Sequence, residues 1–238
     1  MNAIDNGERP YILDDIVFQP DLGSLAKRLR LKDGSQQLAE FAGLLKTAAA
    51  IARPKAMYKL AYVDDRSDES VTVDGVRLHS RVLRVNLAVA HRVFVYIATC
   101  GAELQTWSDG LDDMLYRYWA DAIKEAALGA ATQALNAHLY ECYALGRTST
   151  MAPGSLADWP IRQQRPLFRI LGDPEAAIGV QLTESFLMIP NKTISGIRFP
   201  TEERFESCQL CPRGECPGRR AAYEPDLFER KYQQPQQA

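Results

Sequence analysis

One stretch of the sequence restricts the fold more than any other. Residues 112–146 contain no proline. They predict a single helix of about nine turns, with Gly146 as its C-terminal stop. Alanine dominates the middle of this stretch, at Ala120, Ala122, Ala126, Ala127, Ala130, Ala131 and Ala134. Because these side chains are small, we expect another element to approach the helix axis closely.

Helices and strands are mixed along the rest of the chain. The patterns predict a strand or extended arm over 9–21, helices over 23–31, Ser35 to Pro54, 80–91 and roughly 161–171, strands over 56–63, 92–101, 178–189 and 192–200, and a loop over 147–159. Asp74 and Gly75, between alternating valines, predict a type I′ hairpin turn, which needs positive φ at both central positions. No regular βαβ alternation is present, and this favours an α+β fold with a largely antiparallel sheet.

Composition excludes some functional classes and suggests a compartment. The formal net charge is -2, which gives no electrostatic reason to expect nucleic acid as a partner. No apolar run reaches about 18 residues, so we predict no membrane span. The N-terminus is polar and acidic and lacks the apolar core of a secretory signal. We therefore expect a cytoplasmic protein.

Three of the five cysteines lie close together near the C-terminus. An odd number of cysteines argues against a disulfide framework. Cys208, Cys211 and Cys216 have C-x2-C-x4-C spacing, which suits zinc or an iron–sulfur cluster. A fourth ligand would have to come from Cys100, Cys142, a histidine or a partner. Two simpler interpretations remain, a metal site that only staples the C-terminus, and three free thiols without metal.

The loop predicted after the long helix is a candidate ligand site. Pro153 and Gly154 would let the backbone approach a ligand closely. Arg147 stands just past the predicted helix end, where its guanidinium can hold a carboxylate in a two-pronged contact. The alternative is that Arg147 only binds the last carbonyl groups of the helix.

Residues 178–199, IGVQLTESFLMIPNKTISGIRF, carry a resemblance to a known family. They resemble the signature of the activation domain of cobalamin-dependent methionine synthase. Leu182 to Phe186 fit its L-T-E-S stretch, Met188 and Pro190 follow, and Ser195-Gly196 closes the pattern. The segment VFVYIATCGAELQTW and the long helix agree with that family in order. The resemblance covers roughly residues 55–206.

The resemblance implies a site for S-adenosylmethionine. The loop from Arg147 to Trp159 occupies the position of the family's Arg-Pro-Ala-Pro-Gly-Tyr segment, which binds this ligand. By this resemblance, Arg147 would hold the carboxylate of the ligand, and Glu184 and Ser185 would shape the adjoining strand. The backbone that meets the ligand's polar groups would be that of Ala152, Pro153 and Gly154.

The sequence departs from the family pattern at several positions of this site. In the family, two residues separate the arginine from Pro-Gly, whereas here Arg147 stands farther from Pro153. The tyrosine after Pro-Gly is replaced by Ser155. A glutamate of the long helix aligns with Gln133, and two tyrosines align near Phe205 and Glu206.

The resemblance also implies a function. The chain would be a reactivation module for a cobalamin-dependent methionine synthase, in methionine biosynthesis, or for a related corrinoid methyltransferase. It would bind S-adenosylmethionine for reductive methylation of cob(II)alamin, as an accessory part of that system without catalytic residues of its own. None of the histidines stands in a D-x-H-x-x-G pattern, so cobalamin would come from a cobalamin-binding methyltransferase subunit. An electron donor such as flavodoxin or ferredoxin would complete the system.

Two other functions remain open at this point. One is an iron–sulfur protein that reduces corrinoids and carries its cluster on the three clustered cysteines. The other is a docking partner with no small-molecule site.

The implied fold is C-shaped and α+β, with a twisted antiparallel sheet and the long alanine-rich helix. We expect four segments along the chain. A helical segment (1–54) would pack on an activation-domain-like core (55–206). A cysteine knuckle (207–223) and a polar, disordered tail (224–238) would follow.

Overall fold

An antiparallel sheet forms the centre of the computed structural model, which describes residues 9–233. Its strands and those of a smaller sheet are β1 (Tyr11–Leu13), β2 (Lys55–Arg66), β3 (Ser70–Val73), β4 (Val76–His79), β5 (Arg92–Thr99), β6 (Thr148–Met151), β7 (Gln181–Leu182), β8 (Met188–Ile189) and β9 (Thr193–Pro200). The main sheet has the order β4-β3-β2-β5-β9-β6, with β1 also paired to β2. Strands β7 and β8 form a separate pair. Predictions for residues 1–8 and 234–238 lie outside the described residues.

Seven α-helices of the described residues surround the sheet. They are α1 (Leu22–Leu29), α2 (Gln36–Ile51), α3 (Arg81–Asn86), α4 (Ala102–Asp109), α5 (Met114–Tyr143), α6 (Gln164–Leu171) and α7 (Pro174–Ile178). Short 3-10 turns span Ile161–Gln163 and Ser207–Leu210, and a π-helical turn spans Phe228–Gln233. No helix within residues 9–233 is long and apolar enough to cross a membrane.

Helix starts follow short polar signals in the sequence. Ser35 accepts a hydrogen bond from the Leu38 amide at 3.2 Å, and Ser80 caps α3 in the same way. Asp113 accepts from the amides of Leu115 and Tyr116 and starts α5. Such contacts satisfy amide groups that have no partner inside the helix. Helix α5 ends at Ala144, whose φ of 46° is left-handed, rather than at Gly146.

The two faces of the sheet bury different clusters. Alternate residues of a strand point to opposite faces. Tyr58 and Phe94 therefore pack against the α5 side, with Ala131 and Leu135. The other face packs against α3 and α6, and its buried cluster includes Met57, Val95, Ile97, Trp159 and Leu167. The predicted close approach to the alanine-rich helix is seen at Ala131, which is fully buried.

Helices α1 and α2 cover the N-terminal half of α5. The Phe41 and Trp119 rings meet edge to face, with centroids 5.6 Å apart. Leu45, Cys100 and Leu104 belong to the same buried cluster. This cluster joins the N-terminal helices to the rest of the protein.

The predicted hairpin at Asp74-Gly75 is confirmed. Their φ values are 46° and 72°, both positive, as a type I′ turn requires. The Asp74 carboxylate accepts from the Tyr62 amide and pairs with Lys59, each at 2.8 Å. The turn is thus held by its own aspartate and by the neighbouring strand β2.

Two sequence predictions were wrong in the region after α5. Residues 147–159 are not all loop, because Thr148–Met151 form the edge strand β6 paired with β9. Residues 178–189 are not one strand, since Gly179 ends α7 with a φ of 73°. The rest of that segment forms the β7–β8 hairpin.

Two further predictions need correction at other places. The helix predicted over 80–91 ends early, at Asn86. The tail predicted as disordered is packed as far as it is described. Tyr232 is fully buried, Leu227 is nearly so, and the Arg81 guanidinium donates to the Tyr232 carbonyl. Large apolar side chains in a polar segment outweigh its average composition, because each one buries substantial area.

Candidate functional site

A strip of polar side chains lies between the C-terminal half of α5 and strands β6 and β9. We call it the β6 polar strip, and it consists of Asn136, Tyr140, Thr148, Thr150 and Arg198. The Arg198 guanidinium donates to Thr148 Oγ1 at 2.9 Å and to Asn136 Oδ1. The Tyr140 and Thr148 hydroxyls are 3.3 Å apart. Exposed Gln133 lies one turn before Asn136 on the same helix face.

The strand geometry explains which residues reach the strip. Side chains alternate along β6, so Thr148 and Thr150 share one face while Ser149 and Met151 point to the other. Met151 is buried in the α6-side cluster, and the Ser149 hydroxyl accepts from the Phe205 amide at 2.9 Å. One face of the edge strand is therefore polar and faces α5, and the other anchors it in the core.

Arg198 has a hydrogen-bond donor to spare. Its Nε–H is buried and has no acceptor among the described residues. A buried donor without a partner costs about 1–3 kcal/mol. Because the Nε–H is closed to solvent, a ligand carboxylate would reach it only after a movement of the side chain, and would then bind the guanidinium with two parallel hydrogen bonds.

Gly196 lets the sheet close tightly beside the strip. A Cβ at this position would lie 2.5 Å from the Met151 carbonyl oxygen and 3.0 Å from the Tyr96 hydroxyl. Only glycine fits here without a shift of the backbone. Burial raises the pKa of Tyr96, so its phenol stays protonated beside the strip.

The segment Ala152–Gly154, predicted to meet a ligand, directly follows β6. Gly154 has a φ of 85°, and its amide donates to the Trp159 carbonyl at 2.7 Å. The Ala152 carbonyl accepts from both the amide and the hydroxyl of Ser155. The loop is thus folded on itself, and these two backbone groups are already engaged. Its binding role stays a prediction.

Arg147 lies at the other end of the edge strand. Its guanidinium donates to the Glu202 carbonyl at 2.5 Å rather than to the last carbonyls of α5. A strand advances about 3.3 Å per residue, which puts Arg147 roughly 16 Å from Ala152. Thr150, two positions before Ala152, lies on the edge strand itself. Its cross-strand partner on β9 is Arg198.

Glu184 and Ser185 lie in the turn of the β7–β8 hairpin, not in an adjoining long strand. Both are exposed, and the Ser185 hydroxyl is 3.0 Å from that of Thr183. The Arg165 guanidinium stacks over the Phe186 ring at 5.1 Å and holds this turn against α6. The turn therefore belongs to the α6 side of the sheet, whereas the β6 polar strip faces α5.

Arg219 holds together the segment that contains Cys208, Cys211 and Cys216, which we call the cysteine segment. The Arg219 guanidinium donates to the carbonyls of Cys208, Cys211, Arg213 and Ala221. The Cys208 sulfur accepts from the Arg220 amide at 3.4 Å, and this hydrogen bond lowers the pKa of the thiol. Residues 9–233 contain no group of three or more His, Cys, Asp or Glu side chains placed to hold a metal ion. As placed, the thiols do not form a metal centre, and metal binding by Cys208, Cys211 and Cys216 stays a prediction.

An aromatic cluster borders the β6 polar strip on α5. The Tyr58 hydroxyl lies 3.0 Å from His138 Nε2 and 3.3 Å from the Tyr143 hydroxyl. Tyr11 stacks on His138 with centroids 4.5 Å apart. Partial burial lowers the pKa of His138 and favours the neutral imidazole.

Sequence reasoning missed Arg198. The signal was present in TISGIR, where alternation places residues 194, 196 and 198 on one face of β9. Only the pairing of β9 with β6 reveals that this face of β9 borders the β6 polar strip.

Comparison with known proteins supports the fold. No family model matches the sequence, and no curated protein matches it. Among solved structures, it is similar to one titled "Crystal Structure of the MetH Reactivation Domain bound to AdoHcy". The match has 14% identity and a TM-score of 0.53, and covers 84% of this chain and 82% of that one. The predicted α+β class, with its twisted antiparallel sheet and long helix, is thereby confirmed, and the chain has the fold of the MetH reactivation domain.

Proposed function

We propose that this protein binds S-adenosylmethionine along the β6 polar strip and helps a partner protein to remethylate its cobalamin. One observation carries the proposal, the spare donor of Arg198 beside the edge strand. The likeness to a domain whose solved structure contains AdoHcy supports it.

The ligand chemistry suits the strip. S-adenosylmethionine carries an amino-acid carboxylate, which pairs well with a guanidinium fork. Arg198 is our first candidate for this contact, because it is partly buried and one hydrogen bond short. Arg147 is the second candidate, since it is exposed at the start of β6. Gln133 and the backbone of Ala152–Gly154 flank the strip and would meet the remaining polar groups of the ligand.

In this role the chain binds and orients while a partner supplies the reacting metal. A cobalamin-binding methyltransferase subunit would provide the corrinoid, which accepts the methyl group. One electron from a carrier such as flavodoxin or ferredoxin and the methyl group of S-adenosylmethionine would be consumed, and S-adenosylhomocysteine would leave. The strip's own task is to hold the donor by its carboxylate and present the methyl group toward the partner.

Calorimetric titration of the full chain tests the binding step. We expect saturable binding of S-adenosylmethionine and S-adenosylhomocysteine, with or without a cobalamin-loaded methyltransferase subunit. No heat of binding at millimolar ligand in both conditions would overturn the proposal. A matched kinetic test follows recovery of methyltransferase activity after oxidation of the partner's cobalamin, with a reducing carrier, in the presence and absence of this chain.

A further inference from the structure

A buried lysine lies in the N-terminal half of α5, away from the β6 polar strip. The Lys124 side chain is only 5% exposed. Its ammonium is 3.8 Å from Asp121 Oδ1, longer than a hydrogen bond, and no hydrogen bond to it is found within residues 9–233. The protein itself therefore supplies the Lys124 ammonium with one long ion pair and no hydrogen bond within the described residues.

Lys124 is one of the residues that line a cavity of about 520 Å³. Helix α4, the first turns of α5 and the connection between β8 and β9 form its walls, which include Gln105, Arg117, Tyr118, Asp121, Lys124 and Asn191. Small-molecule sites typically measure about 300–1,000 Å³. The cavity is therefore large enough for a metabolite.

The charges around the cavity favour an anion. Asp121 is shared, because its second oxygen pairs with Lys192 at 2.7 Å. Asp109, the other acidic residue of the wall, accepts a hydrogen bond from Gln105 at 2.8 Å. Arg117 and Lys124 line the cavity together with the two aspartates, and Lys192, just outside it, pairs with Asp121 and leaves a small excess of positive charge.

The rim of the cavity is apolar. Met114 and Tyr118, on the first turns of α5, are 85% and 60% exposed. Large exposed apolar side chains beside a polar cavity are typical of a binding site. They would contact the carbon skeleton of a ligand whose charged end reaches Lys124.

We infer that this cavity binds a small organic anion, whose carboxylate or phosphate group is held by the Lys124 ammonium. The anion would supply the acceptors that Asp121 does not. This site lies outside the β6 polar strip, and the inference does not depend on S-adenosylmethionine binding.

Titration of the full chain with inorganic phosphate and with citrate, at constant ionic strength adjusted with chloride, tests the inference. We expect saturable binding of at least one anion. Calorimetry and the rise in Tm measure this binding. Stronger binding of phosphate would identify a phosphorylated ligand, and stronger binding of citrate a carboxylate. Lys124→Met should weaken binding by about tenfold or more, because a charge-assisted hydrogen bond is lost. The control Lys59→Met removes another ion-paired, largely buried lysine, outside this cavity, and should leave binding unchanged.

A second variant separates binding from folding. The Asp121 carboxylate competes with a bound anion for Lys124 and Lys192. Asp121→Asn removes this carboxylate, so it should tighten anion binding by about threefold. Far-ultraviolet circular dichroism confirms that each variant is folded. Equal affinity in the wild type and Lys124→Met, or no saturation by either anion, would overturn the inference.

Discussion

Thr150 and Arg198 lie directly opposite each other on the antiparallel strands β6 and β9. Opposite residues of such a pair project from the same face of the sheet. Here the threonine is short and neutral, and the guanidinium reaches the same face from the neighbouring strand. A positive charge thus lies beside the strip, although β6 itself contributes none.

Replacement of Arg198 by glutamine should weaken S-adenosylmethionine binding by about tenfold or more, since a contact between two charged groups is lost. Calorimetry of the wild type and the variant measures the change. The matched control is Arg147→Gln, which removes an exposed guanidinium bonded to the Glu202 carbonyl. We expect less than about a threefold effect from this control. A larger loss in Arg147→Gln than in Arg198→Gln would show that the carboxylate lies at the other end of β6.

Replacement of Gly196 by alanine should destabilise the protein by about 1–3 kcal/mol, as overpacking of a buried site does. The new Cβ would lie 2.5 Å from the Met151 carbonyl oxygen and would push β6 away from β9. Urea denaturation measures the free energy of unfolding. Gly129→Ala is the control, because a Cβ added there would meet no atom within 4 Å beyond the adjoining backbone of α5. That variant should stabilise the helix by up to about 1 kcal/mol.

Replacement of Arg219 by methionine should loosen the cysteine segment and lower its local stability by about 2 kcal/mol. Alkylation of the native protein should then become faster at Cys208 and Cys211. Cys100 is an internal control, because it is fully buried and burial raises its pKa to about 11. It should stay unlabelled in both proteins.

The control variant for this experiment is Arg213→Met, whose exposed side chain makes no such contacts with residues 9–233. Metal analysis of anaerobically purified protein accompanies it. Stoichiometric zinc, or iron with visible absorption, would contradict Arg219 as the organiser of the segment and would mean that the thiols rearrange around a metal.

The aromatic cluster predicts a pH dependence. Burial lowers the pKa of His138 below its usual 6.5, although the Glu141 carboxylate opposes this. The unfolded chain therefore binds this proton more readily than the folded protein. The free energy of unfolding should fall as the pH drops from about 6.5 towards the lower pKa of the folded state, and should level off below it. His138→Gln should reduce this slope. A nuclear magnetic resonance titration midpoint for His138 at or above 6.5 would contradict the prediction.

Short-range signals predicted much of this fold. Ser35 begins the helix predicted from it because its hydroxyl accepts a hydrogen bond from an amide only three residues away. Asp74-Gly75 forms its turn because two adjacent residues meet the φ requirement. In each case the cause and the structure lie within a few residues, so the sequence alone is sufficient.

Contacts between residues far apart in the sequence determine the parts of the fold that the sequence did not predict. Strand β6 has only four residues, and its extended form depends on β9, about fifty positions later. The place of Arg198 beside Thr150 follows from the same pairing. The Tyr232 ring packs against Phe205 and Phe228, and Arg81, far earlier in the chain, donates a hydrogen bond to the Tyr232 carbonyl. Contacts between distant residues leave no signal in the local sequence. Sequence patterns therefore placed the candidate site on the β6 segment and did not identify Arg198 on β9.

Helix α5 carries both Lys124 and Asn136 on one uninterrupted rod. At 1.5 Å per residue, these two positions are separated by roughly 18 Å along the axis. A single small metabolite cannot bridge that span, so occupancy of either end can be titrated while the other is saturated. This separation also sets the minimum width of any partner protein that covers Lys124 and Asn136 at the same time. A small domain is wide enough to do so.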